Sequence, residues 1–116
     1  MRIHHVAFRT HDLARLEAFY RKLDLQVVRR QDHAVWLAAG EAILMLEQSA
    51  NDEPPIDAST KELVAFAANE SLEAMRARLH AAGVAIEAET SFTLYFRDPD
   101  GRRVALSRFD LGPVHA

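Results

Sequence analysis

Ile3-His4-His5-Val6-Ala7-Phe8 opens the chain as an alternating apolar stretch, and Glu62-Leu63-Val64-Ala65-Phe66 repeats it in the second half. The pattern predicts a half-buried strand over residues 2–9, with Val6 and Phe8 on one face and His5, Ala7 and Arg9 on the other. Asp12 is positioned to cap a helix whose apolar side is Leu13, Leu16, Phe19, Tyr20 and Leu23. Strands are expected over Leu25–Val28, His33–Ala38 and Ala42–Glu47, the last two joined by a turn at Gly40-Glu41. The second half gives the same order. It has a strand at Leu63–Ala67, a helix capped by Ser71 and closed by Gly83, and strands at Val84–Ala88, Phe92–Arg97 and Arg102–Arg108. Asp98-Pro99-Asp100-Gly101 supplies the turn before the last strand.

The two halves align by number. Val6-Ala7-Phe8 meets Val64-Ala65-Phe66 at a shift of 58; Leu13, Leu16, Leu25 and Val27 meet Leu72, Met75, Val84 and Ile86 at 59. Leu44 and Leu46 meet Val104 and Leu106 at 60. The unit is therefore strand-helix-strand-strand-strand, and neither copy alone buries much apolar surface, which favours two copies packed about a pseudo-two-fold axis. We expect one domain over 1–116, with repeat one at about 1–48, a linker at 49–60 marked by Pro54-Pro55, and repeat two at about 61–109. The tail from Asp110 to Ala116 is expected to be loosely ordered.

Composition narrows the function. A formal charge of −3 offers no basic surface for a phosphate backbone, so nucleic acid is not an expected partner. The absence of cysteine excludes disulfides, thiolate metal sites and a thiol nucleophile. The opening residues lack the apolar core of a signal peptide, and no apolar run approaches the ~20 residues a spanning helix needs. A cytoplasmic protein without membrane contact is the expectation.

Strand alternation separates two faces. Val6, Phe8, Leu44, Leu46, Val64, Phe66, Val104 and Leu106 form the expected core face beneath the helices. The opposite face carries His5, Ala7, Arg9, Met45, Glu47, Leu63, Ala65, Arg103, Ala105 and Ser107, a lining suited to a small, partly apolar ligand. A solvated or partner-covered face is the alternative. Trp36 is a candidate for stacking on a ligand or for the core. Arg9 and Arg103 suit an anionic substrate or a pairing with Glu47. His4 is expected on the opposite face from His5, and His11, His33, His80 and His115 are expected to be exposed.

From Arg2 to about Phe109 the chain resembles the vicinal oxygen chelate superfamily, which includes glyoxalase I, bleomycin-resistance proteins, extradiol dioxygenases and fosfomycin-resistance thiol transferases. The resemblance rests on His5-Val6-Ala7-Phe8, Asp12-Leu13 with Phe19-Tyr20, and Tyr95-Phe96-Arg97-Asp98-Pro99-Asp100-Gly101. It implies an α+β fold of two βαβββ repeats, a curved mixed sheet around a cavity with the helices on its outer face. It also implies a homodimer. Catalytic members typically hold a divalent ion with one side chain from the first and fourth strand of each repeat; the matching positions are His5, Met45, Leu63 and Ala105. Met thioether is soft, and Leu63 and Ala105 carry no donor, so no metal and no other cofactor is expected. Glu47 shares the face of Met45 but lies about 7 Å further along the strand.

Three functions follow. The first is a metal-free protein that binds a small organic molecule through His5, Arg9, Trp36, Met45, Glu47, Leu63, Tyr95, Arg103 and Ala105. The second is a divalent-metal-dependent lyase, isomerase or thiol transferase with a site rearranged around His5 and Glu47. In it Thr93 and Tyr95 resemble the polar substrate contacts of the fosfomycin enzymes. The third is a non-catalytic dimeric regulatory module.

Overall fold

The computed structural model describes residues 1–113; His115 and the end of the tail lie outside the described residues. The chain forms two compact units, residues 1–56 and residues from 57 onward. Each has the order strand, helix, three strands.

In the first unit the elements are β1 (Val6–Thr10), α1 (Leu13–Lys22), β2 (Gln26–Gln31), β3 (Ala34–Ala39) and β4 (Ala42–Gln48). The sheet order is β1-β4-β3-β2, with β1 parallel to β4 and the other pairs antiparallel. Asp12 caps α1 as expected, its side chain accepting from the Arg15 amide at 3.1 Å. The register sets Val6 against Leu44 and Phe8 against Leu46, so the large apolar groups of both strands share the face that meets the helix. There Phe8 lies 5.9 Å from the Tyr20 ring, and Leu16, Tyr20, Leu37 and Leu46 are fully buried. A bulge at Val28, between Val27 and Arg29, bends β2. Beyond it Arg30 turns to the helix side and grips Glu17 through two hydrogen bonds of 2.6 and 3.0 Å.

The second unit contains β5 (Val64–Ala67), α2 (Leu72–Ala81), β6 (Ala88–Glu89), β7 (Thr93–Arg97) and β8 (Arg103–Ser107), in sheet order β5-β8-β7-β6. Ser71 Oγ accepts from the Ala74 amide at 3.1 Å, and Gly83 adopts a φ of 75° at the helix end. The Val84 amide donates to the Leu79 carbonyl at 2.9 Å, which closes the helix. That closure shortens the strand expected at Val84–Ala88: the first sheet contact after it is from the Glu87 amide to Tyr95, at 2.7 Å. Met75, Leu79, Leu94, Phe96 and Val104 are fully buried and make the core of this unit.

The Asp98–Gly101 turn is built on a buried carboxylate. Asp98 accepts the Asp100 and Arg102 amides at 2.9 and 3.1 Å and the Arg102 guanidinium at 2.5 Å. Gly101 takes a φ of 85°, which a side chain would strain.

Residues 49–56 of the expected linker are part of the first unit. The Ser49 amide donates to Thr10 at 2.7 Å, extending the β1–β4 ladder by one bond. In the second unit the Ala58 carbonyl accepts from Arg97 at 2.9 Å.

The burial pattern gives a direct stability test. Leu46→Ala should cost ~2–5 kcal/mol through lost transfer energy and the cavity left behind. Val28→Ala, at a bulge residue 58% exposed, should stay within about 0.5 kcal/mol. Urea unfolding of the two variants beside the parent chain measures both.

Candidate functional site

The face of each sheet opposite its helix carries the candidate residues, and ladder register places them in rows. In the first unit Ala7, Met45 and Trp36 form one row across β1, β4 and β3. His5 precedes this row and leans over it, its ring centroid 5.0 Å from that of Trp36 in an edge contact. The Trp36 indole donates to Gln31 Oε1 at 2.8 Å, which fixes the ring that His5 meets. Met45 lies between Ala7 and Trp36 and is buried at 8% exposure. Five of the candidates, His5, Arg9, Trp36, Met45 and Glu47, belong to this one face.

Arg9 and Glu47 are neighbours in the next row. Their side chains form an ion pair, and Arg9 also makes two 2.7 Å hydrogen bonds to Glu53. Glu53 also accepts from Ser49 at 3.0 Å, and its carbonyl lies 2.8 Å from His11 Nε2. The hydrogen bond from Arg9 is the main reason the Glu53 carboxyl is held down to about 2. The same contact raises the Arg9 pKa further above its ordinary value. Arg9 therefore has two carboxylates already on it, and one of them, Glu53, sits in the stretch read as linker.

In the second unit Ala65, Ala105 and Tyr95 form the corresponding row. Ala105 is fully buried, whereas Leu63 is 38% exposed. The Arg103 guanidinium carbon lies 4.4 Å from the centre of the Tyr95 ring, a cation–π contact. Thr93 and Ser107 hydroxyls are 2.8 Å apart in the following row. Arg97 binds both oxygens of Glu87 at 2.8 and 3.0 Å, and this pairing lowers the Glu87 pKa.

The rows expose an equivalence that apolar patterning did not reveal. Trp36 pairs with Met45 as Tyr95 pairs with Ala105, so each repeat presents an aromatic ring on its third strand beside the fourth-strand position. A protonatable or cationic group meets each ring: His5 at Trp36 and Arg103 at Tyr95. His4 differs from its expected placement. Residues 1–5 precede the ladder, so alternation does not govern them, and the His4 and His5 Nδ1 atoms come to 2.8 Å.

Residues 2–106 match the family model of the glyoxalase/bleomycin resistance protein/dioxygenase superfamily, and the chain belongs to that superfamily. Solved structures share its fold. A lactoylglutathione lyase from Agrobacterium tumefaciens is 24% identical, with a TM-score of 0.72 over 91% of this chain and 92% of that one. The trypanothione-dependent glyoxalase I of Leishmania major is also 24% identical, with a TM-score of 0.78 over 92% of this chain and 86% of that one. A mutant of the fosfomycin resistance protein FosX from Listeria monocytogenes, complexed with Mn(II) and 1S,2S-dihydroxypropylphosphonic acid, is 17% identical. Its TM-score is 0.77 over 95% of this chain and 91% of that one. No curated protein sequence matches.

The residues present do not fit the divalent ion associated with this fold. Of the four matching positions, only His5 bears an imidazole or carboxylate. Among the described residues no three His, Cys, Asp or Glu side chains gather to hold an ion. Glu47, the nearest carboxylate along β4, is engaged by Arg9.

The Arg9–Glu53 contact predicts a pH dependence. Glu53 has a folded-state pKa of about 2 against an ordinary 4.5, so its contribution is complete above pH 4.5 and lost as pH falls towards 2. The urea midpoint should fall over that window, and Glu53→Gln should flatten the decline relative to the parent chain.

Proposed function

We propose that this superfamily member binds a small organic molecule against the open faces of its sheets, without a four-donor divalent centre. The observation that carries this reading is the donor set: His5 stands alone where Met45, Leu63 and Ala105 occupy the other three positions. The ion pair between Arg9 and Glu47 adds to it, because a centre rearranged around His5 and Glu47 would have to break that pair before gaining a ligand.

Each open face offers its own contacts to a small molecule, a ring in the first unit and a ring with a cation in the second. Trp36 supplies a fixed ring, and Tyr95 holds the Arg103 guanidinium over its face. In the first unit a planar group would stack on Trp36; in the second, taken by itself, a carboxylate or phosphonate would accept from Arg103. A cytoplasmic homodimer completes the proposal. No helix among the described residues is long and apolar enough to cross a membrane.

Nuclear magnetic resonance in EDTA tests the reading. Titration with aromatic carboxylates and phosphonates should give saturable shifts of the Trp36 indole N–H and the Arg103 Nε–H. Trp36→Ala should weaken binding by about fivefold, the ~1 kcal/mol scale of an aromatic contact. Ligand-dependent shifts that appear only when Zn(II) is added in excess of the chelator would refute the metal-free reading. Absence of any saturable shift across the panel would refute binding at these residues.

A further inference from the structure

His4 and His5 lie next to each other in the chain yet present their rings to each other. Because β1 begins at Val6, the backbone before it is free of ladder hydrogen bonds and can turn both side chains to one side. The two Nδ1 atoms are 2.8 Å apart, and the rings meet edge to face, with centroids 5.1 Å apart and planes at 79°. His5 is steadied on its other side by Trp36, which Gln31 anchors in turn. His4 is exposed and His5 half-buried, so water reaches the pair.

A 2.8 Å separation serves a hydrogen bond between neutral imidazoles, one Nδ1–H donating to the other Nδ1. It also matches two adjacent ligands of a tetragonal ion: bonds of about 2.0 Å at a right angle set the nitrogens about 2.8 Å apart. A tetrahedral ion with similar bonds needs about 3.3 Å and would force the rings apart. We infer that His4 and His5 form a two-imidazole chelate for Cu(II) or Ni(II), the ion held to one side of the line between the two Nδ1 atoms by both lone pairs, with water filling its remaining positions.

On binding, the donor ring's Nδ1 proton is replaced through solvent by a proton on its Nε2. Both rings stay neutral and no net proton is released. The chelate is separate from the four-position centre discussed above: His5 alone belongs to that set, and His4 is the second ligand. Metal preference follows from ligand type and geometry, with Cu(II) above Ni(II) and hard ions such as Mn(II) last.

The single tryptophan provides the readout, because Trp36 touches His5 and a paramagnetic ion held there quenches its emission. Titration of the full chain with CuCl2 and NiCl2 in a non-coordinating buffer should give saturable quenching at one equivalent. His4→Ala and His5→Ala should each weaken binding at least about tenfold, the lower end of what even supporting residues contribute to metal sites. His80→Ala should leave it intact. His4→Ala carries the decisive weight, since the ring that meets Trp36 is that of His5, and far-ultraviolet circular dichroism checks that each variant is folded. Unchanged affinity in His4→Ala, or quenching that rises linearly without saturation, would overturn the assignment. So would loss of binding on adding two residues before Met1, which would give the ion to the terminal amine.

Discussion

The parallel register of the first strand against the fourth, repeated in both units, is the constraint on which the rest depends. Val6 against Leu44 and Phe8 against Leu46 commit one face to the helix; Val64 against Val104 and Phe66 against Leu106 do the same in the second unit. A slip of one residue would turn those side chains outward and bury His5, Ala7 and Arg9 under the helix. Burying Arg9 without its partners would cost far more than any gain from covering Ala7 more deeply. Charge and hydrophobicity therefore enforce the same register. The Asp12 and Ser71 caps then start each helix where its apolar side meets the sheet.

Once the register is fixed, the opposite faces follow from it. Small residues occupy the first strands, Ala7 and Ala65, while the third strands carry the rings of Trp36 and Tyr95. The face of the first unit is further organised by charge. Arg9 joins Glu47 of β4 to Glu53 beyond it, tying residues 49–56 to the sheet with hydrogen bonds at both the backbone and the side chains. An arginine that a sequence reader would offer to an anionic substrate is thereby committed to the fold. Arg103 is differently held, over the Tyr95 ring and within the field of the Glu87 carboxylate.

Much of this was legible in the sequence because it is local. The Val-Ala-Phe echo, the two capping residues, Gly83 and the Asp98–Gly101 turn each announce themselves within a few residues, and all appear where expected. The family follows from the same signals. What escaped notice is non-local or breaks alternation. Glu53 lies 44 residues from Arg9, and a run containing two prolines reads as linker unless that ion pair is known. Trp36 and Tyr95 share no chemistry beyond aromaticity, so their equivalence emerges from ladder pairing. Alternation places His4 opposite His5, but the strand begins two residues later, at Val6, and the two rings meet. The second strand of the second half is shorter than its apolar pattern predicts because helix closure at Val84 uses an amide that a ladder would need.

Among the described residues no set of donors gathers for a hard divalent ion: His5 stands beside buried Met45, and Glu47 is already paired with Arg9. Electron paramagnetic resonance of Mn(II) measures that directly, since the aquo ion gives a strong signal that disappears on coordination by protein. Titrated with Mn(II) at micromolar concentration, the chain should leave the free-ion signal undiminished, rising in proportion to the metal added. Depletion of one equivalent of Mn(II), abolished by His5→Ala or Glu47→Gln, would contradict the account.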